Sequence, residues 1–170
     1  KLKDLEKKGE ICFESLSKNE QFLDTIIQAT GYALKTGETE KIAAFKNAII
    51  NTAIEEAPDK TKSHLFLTYL DAFTVWHIKI LHFFDNPKRW FANNGQTAPN
   101  SFMGSLSSTL QSAFPTLQGQ DELVAVIWKD LANAGFHRSG DLGTMMTGDG
   151  ALAERTTGLG KEFIAFITEQ

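Results

Sequence analysis

The sequence predicts a mostly α-helical protein: an N-terminal helical bundle, about residues 1–58, packed on a winged-helix-like C-terminal unit, about 60–170, with a short β-ribbon. Three observations lead there. Apolar residues recur at three- and four-residue spacing along most of the chain. Asn, Gly and Pro fall between these periodic stretches, where helices start and stop. Residues 121–167 then run as an amphipathic helix, a glycine-punctuated stretch and a short apolar helix, the order of the second half of a winged-helix unit. At 170 residues, with 13 Phe and 3 Trp, the chain can bury a substantial core and could also form one compact domain overall.

Leu2, Leu5, Gly9, Cys12 and Leu16 keep helical spacing, which predicts a helix over 2–16 weakened by Gly9. Asn19 can cap a second helix whose stripe is Phe22/Leu23, Ile26/Ile27, Thr30 and Ala33/Leu34, ending near Gly37. A third, from about Glu38 to Ile54, carries Ile42, Phe45, Ile49 and Ala53 and stops before Pro58. A fourth, from about Thr61 to Ala72, holds Leu65, Phe66, Tyr69 and Leu70. Thr74 caps a very apolar helix with Trp76, Ile80, Leu81, Phe83 and Phe84, closed by Asp85-Asn86-Pro87.

Residues 91–120 carry no charge, and 93–100 read as a loose turn region. Phe102, Leu106, Leu110 and Phe114 share one face, so 101–114 is expected to be helical up to Pro115. A helix from about Gln120 to Ala134 follows, its stripe Leu123, Ile127, Leu131 and Ala134 widened by Val124 and Trp128, with Gly135 at the stop. Leu142–Met146 and Leu152–Thr156 are expected to pair as a wing around Gly148-Asp149-Gly150, although 151–155 has weak strand propensity. Leu159, Phe163 and Phe166/Ile167 mark the closing helix.

Charge narrows the function. Residues 1–90 balance 13 basic against 13 acidic side chains, whereas 121–170 hold four basic and eight acidic ones, so the net charge of −4 resides at the C-terminal end. The outer face of the 120–134 helix offers Asp121, Glu122, Lys129, Asp130 and Asn133. Phosphate would be repelled there, so this helix is not expected to read duplex DNA. No apolar run reaches the roughly 18–20 residues of a membrane span, so no membrane contact is expected within this segment. The first residue is Lys1 rather than Met, and an upstream piece is expected to have been removed.

The segments Phe66–Leu81 and Thr144–Gly150, with the tail Thr156-Thr157-Gly158-Leu159-Gly160-Lys161-Glu162-Phe163, resemble a group of uncharacterised bacterial helical proteins. They are loosely similar to the helical domain of abortive-infection (phage-defence) proteins. The resemblance covers about residues 60–168 and its motifs are structural. It implies a bacterial, cytoplasmic setting with stress or defence biology, and it transfers no active residue.

Chemistry-bearing patterns are sparse. His77 and His82 are five residues apart, about 140° around a helix, and cannot chelate one ion as an i,i+4 pair does. Cys12 has no partner base and reads as a small buried apolar residue. The serines at 101–112 lack a nucleophile-elbow pattern. The 140–150 glycines lack the Gly-Lys-Ser/Thr of a phosphate loop and the ligands of a calcium loop. Glu55-Glu56 with Asp59 reads as a solvated corner. No catalytic residue, cofactor or metal is expected. In the aromatic block, Trp90-Phe91 is the pair expected to be partly exposed, and Trp90, Phe91 and Trp128 are the candidate partner-binding residues. The function expected is a non-enzymatic protein-interaction or regulatory module, acting on a protein partner or by self-association. The alternative is a DNA-binding winged-helix regulator whose basic face, drawing on Lys41, Lys46, Lys60, Lys62, Lys79, Lys88 and Arg89, is assembled by oligomerisation.

Overall fold

Helices begin where a side chain can satisfy the first free amides, and several boundaries follow that rule closely. A computed structural model describes residues 1–54 and 57–169; among these the chain is mostly helical, with one small two-stranded antiparallel sheet. Two compact units result, Lys1–Val75 with Glu162–Gln170, and Trp76–Lys161. The boundary expected at 58–60 therefore falls at 75/76. The helix Thr39–Thr52 ends before Pro58, and the unit continues beyond it because the helix Lys60–Ala72 packs back onto it and onto Glu20–Ala33.

The first unit contains α1 (Leu2–Lys7), α2 (Phe13–Leu16), α3 (Glu20–Ala33), α4 (Thr39–Thr52) and α5 (Lys60–Ala72), plus residues from 162 onward of the closing helix α11 (Gly158–Ile167). The single helix expected over 2–16 is split at Gly9, which takes φ +77°. Cys12 then becomes the exposed N-cap of α2 instead of a buried residue. Asn19 caps α3 as expected, accepting from Phe22 N at 3.1 Å, and Asp59 caps α5 through Lys62 N at 3.0 Å. Glu55 and Glu56 of the expected acidic corner lie outside the described residues. Phe66 forms the centre of this core, edge-on to Phe163 at 5.5 Å and tilted on Phe166 at 5.6 Å. Each such buried ring contributes about 1.5–3 kcal/mol relative to exposure.

The C-terminal end of α11 is held by two amides of α4. Asn51 is buried, and its Nδ2 donates to the carbonyls of Ala165 (2.9 Å), Phe166 (2.9 Å) and Thr168 (2.8 Å). Asn47, one turn earlier, donates to Ile167 O at 3.1 Å. A helix leaves its last four carbonyls without intrahelical partners, and these asparagines supply the donors.

The second unit runs from the body of α6 (Val75–Asp85) through α7 (Pro87–Asn93), β1 (Met103–Gly104), α8 (Leu106–Ala113), a 3₁₀ turn at Pro115–Leu117, α9 (Asp121–Asn133), β2 (Met146–Thr147) and α10 (Gly148–Ala151) to the first turn of α11. Asn86 caps α7 with Pro87 at its first position. The helix expected over 101–114 starts only at Leu106, where Ser105 and Ser108 form a reciprocal capping box. Phe102, expected on its buried stripe, is 91% exposed.

The expected wing is replaced. Met103–Gly104 pairs antiparallel with Met146–Thr147, in the register Met103↔Thr147 and Gly104↔Met146. Gly148–Ala151 coils into a helical turn capped by Thr147, so 152–156 makes no hairpin with 142–146. Thr147 Oγ1 can accept the Gly150 amide, which favours a helix start over a hairpin turn. Weak strand formers at 151–155 offer no competing ladder. The return of the chain is marked by a single antiparallel bridge, His137↔Thr156.

Candidate interaction surface

In α3, apolar residues occupy more of the circumference than its neighbours can cover. Phe22, Thr25 and Ala29 are buried, and Ile26 packs on the small core of Ile11, Leu16 and Phe22. Leu23, Ile27 and Leu34, expected on the same buried stripe, instead face outward at 40%, 70% and 83% exposure. At about 100° per residue, Leu23, Ile27, Thr30 and Leu34 fall within about 60° of one another, a narrow seam with heptad spacing. From Thr25 to Leu34 the helix carries no charge. Polar residues normally occupy the solvent face of a surface helix, so this face is anomalous.

The opposite flank of α3 borders a cleft of about 410 Å³ between α3 and α5, lined by Gln21, Asp24, Thr25, Gln28, Lys60 and Ser63 among others. Its polar groups are mostly engaged with one another. Lys60 pairs with Asp24 at 2.8 Å, and Gln21 donates to Ser63 Oγ at 3.1 Å. Gln28 Oε1 is buried without a partner.

Of the three residues expected to bind a partner, two are core. Phe91 is 2% exposed, and Trp128 is 5% exposed. Phe91 lies edge-on to Phe83 at 5.7 Å. Trp90 is half-buried, packed on Phe83, Phe91 and Phe114, and presents only a partial edge. Trp128 is covered by Phe84 (4.8 Å) and stacked on His137 (3.5 Å between centroids, 19°). Leu123, expected in the α9 stripe, is exposed with Val126; the buried stripe is Val124, Ile127, Trp128 and Leu131.

Around Trp128 the polar atoms specify one tautomer. Ser139 N donates to His137 Nδ1 at 3.2 Å, so the ring proton is on Nε2, which donates to Trp128 O at 2.7 Å. Trp128 Nε1 donates to Gly140 O at 2.9 Å. Burial lowers the His137 pKa, opposed by the carbonyl bond. His82 is lowered for the same first reason, while His77 is buried with Nε2 3.5 Å from Asp130 Oδ2. His64 is exposed. No group of His, Cys, Asp and Glu able to hold a metal ion occurs among the described residues.

At Cys12 the backbone amide and hydroxyl of Ser15, then the Glu14 amide, lower the thiol pKa. No base approaches it by any bond in the described structure, and it remains an exposed capping thiol.

Several cations proposed for an assembled basic face are already occupied. Lys41 is buried with Nζ on Asp71 O at 2.8 Å, and Lys62 and Lys88 pair with Glu162 (2.7 Å) and Asp149 (2.9 Å). With Lys60 on Asp24, four of the seven face an acid or carbonyl within their own unit. No helix among the described residues is long and apolar enough to cross a membrane.

No protein-family model, curated protein or solved structure matches the chain. The physical anomalies of the fold therefore carry the functional argument. Sequence periodicity alone missed the α3 seam, because Leu23 sits beside buried Phe22 and Ile27 beside half-buried Ile26. The doublets Phe22-Leu23 and Ile26-Ile27 were the available signal: two adjacent residues on a helix lie about 100° apart and rarely share one core.

Proposed function

We propose that this chain is a non-enzymatic protein-interaction module whose contact surface is the outer face of α3. One observation carries the reading: Leu23, Ile27 and Leu34 form an uncharged apolar seam left in solvent. Exposed contiguous apolar surface has a free-energy cost in water that a protein partner removes. The 121–167 tail serves the same module as a scaffold of winged-helix-like order. Its support is the sequence of α9, the His137↔Thr156 bridge and α11. The bacterial, cytoplasmic and stress- or defence-related setting implied by the resemblance belongs to this proposal.

The test compares wild type with the double variant Ile27→Lys/Leu34→Lys. Both sites are solvent-exposed, so the variant should keep the wild-type circular dichroism and thermal midpoint. Cross-linking in host cells should join wild type to a protein, itself or another, through peptides containing α3. Loss of those cross-links in the variant supports the reading. Cross-links that persist unchanged, or never involve α3, refute it.

A further inference from the structure

Resting on the α3 reading, we propose that the occupant of this seam is α3 of a second copy of the same chain, paired antiparallel about a two-fold axis near Gln28–Ala29. The distribution of charge along the helix selects this partner. Glu20 and Asp24 lie at the N-terminal end, on the flank of the seam where Gly31 sits, and the next charge along the chain is Lys35, two residues past the helix end at Ala33. In an antiparallel pair Leu23 meets Leu34 of the copy and Ile27 meets Thr30. Lys35 then falls between the levels of Glu20 and Asp24 of the copy, twice by symmetry. A parallel pair would set each charged flank against the other flank of the copy at the same level, so Lys35 would meet neither Glu20 nor Asp24. Lys35 is exposed, its ammonium 5.3 Å above the Tyr32 ring, and Asp24 retains exposure beside Lys60. Gly31 has open space where a Cβ would stand, which lets a second backbone approach on that flank.

The opposite flank is closed, since Ile26 is already packed on the core of Ile11, Leu16 and Phe22. A seam from Leu23 to Leu34 is about 16 Å long. That is small beside the roughly 800 Å² per partner of a standard interface, so a dissociation constant on the order of 100 µM is expected.

Sedimentation equilibrium of the full chain between about 5 and about 500 µM should show a reversible monomer–dimer equilibrium over that range. Ile27→Lys should weaken it about tenfold or more. Lys35→Glu should weaken it about threefold, and Glu20→Lys added to Lys35→Glu should restore it. With Cys12→Ser in both chains, an oxidised mixture of Leu23→Cys and Leu34→Cys should give the mixed disulfide dimer over either homodimer. A monomer at every concentration, a dimer indifferent to Ile27→Lys, or homodimeric disulfides overturn the proposal. A monomer whose in-cell cross-links to another protein still require α3 overturns the self-pairing alone and leaves the module reading standing.

Discussion

Replacing Asn51 isolates what ties the C-terminal segment into the first unit. Its Nδ2 carries two protons shared among the carbonyls of Ala165, Phe166 and Thr168, all within 2.9 Å. Asn51→Ala removes both donors and strands carbonyls at a site 3% exposed. Two net hydrogen bonds at about 1 kcal/mol each, plus partial desolvation of the orphaned oxygens, make the expected cost about 2–3 kcal/mol. For a chain of this size each kcal/mol is worth about 2–4 °C, so the midpoint should fall by about 4–12 °C. Asn51→Asp keeps the shape but turns donors into acceptors facing three carbonyl oxygens, and should cost more than alanine at pH 7. The aspartate would be easier to protonate folded than unfolded, so part of its deficit should return as pH falls toward 5. Urea unfolding followed by circular dichroism, with the slope checked for constancy, measures all three proteins. An alanine cost below about 0.5 kcal/mol, or an aspartate variant as stable as wild type, would refute the capping argument.

Gly160 and His137 provide two further tests. Inside a helix Gly→Ala ordinarily stabilises by about 1 kcal/mol. A Cβ on Gly160 would stand 2.6 Å from both Phe136 O and Thr156 Cγ2, whereas one on Gly158 meets nothing within 4 Å. Gly160→Ala should therefore destabilise by about 1–3 kcal/mol while Gly158→Ala is neutral or stabilising; equal midpoints for the two variants would contradict the close approach. For His137 the folded pKa lies below its ordinary value, so its contribution is complete above about pH 6.5 and declines as pH falls below that. His82 acts in the same direction. Stability should drop between pH 7 and 5.5, by at most about 1.4 kcal/mol per pH unit for each such imidazole. A flat or rising profile over that interval would show that neither ring is held neutral.

Local signals in the chain decided a good deal. Asn19 and Asp59 start α3 and α5 through their own side-chain oxygens, and Gly135 follows α9 at the expected stop. These are contacts across three or four residues, legible because their geometry depends on the backbone alone. Mostly helical architecture follows from the same kind of information. The Asn47/Asn51 pair was visible as two poor helix formers one turn apart, but nothing nearby in sequence named the carbonyls they would reach.

Tertiary structure decided which apolar residues are core. Periodicity treats Leu23 and Phe22, or Leu123 and Val124, as equivalent members of one stripe, yet one of each pair is buried and the other exposed. Neighbours cover only part of a helix, and their direction is set by segments far away in the chain. The same reason moved Phe91 and Trp128 from candidate surface to interior, and gave Met146–Thr147 a strand partner at Met103–Gly104 instead of an adjacent hairpin. Sequence by itself determined where helices begin, end and carry charge, because those are short-range properties of the backbone and its caps. Only packing decided that the outer seam of α3 would remain in water, because burial is a relation between distant segments.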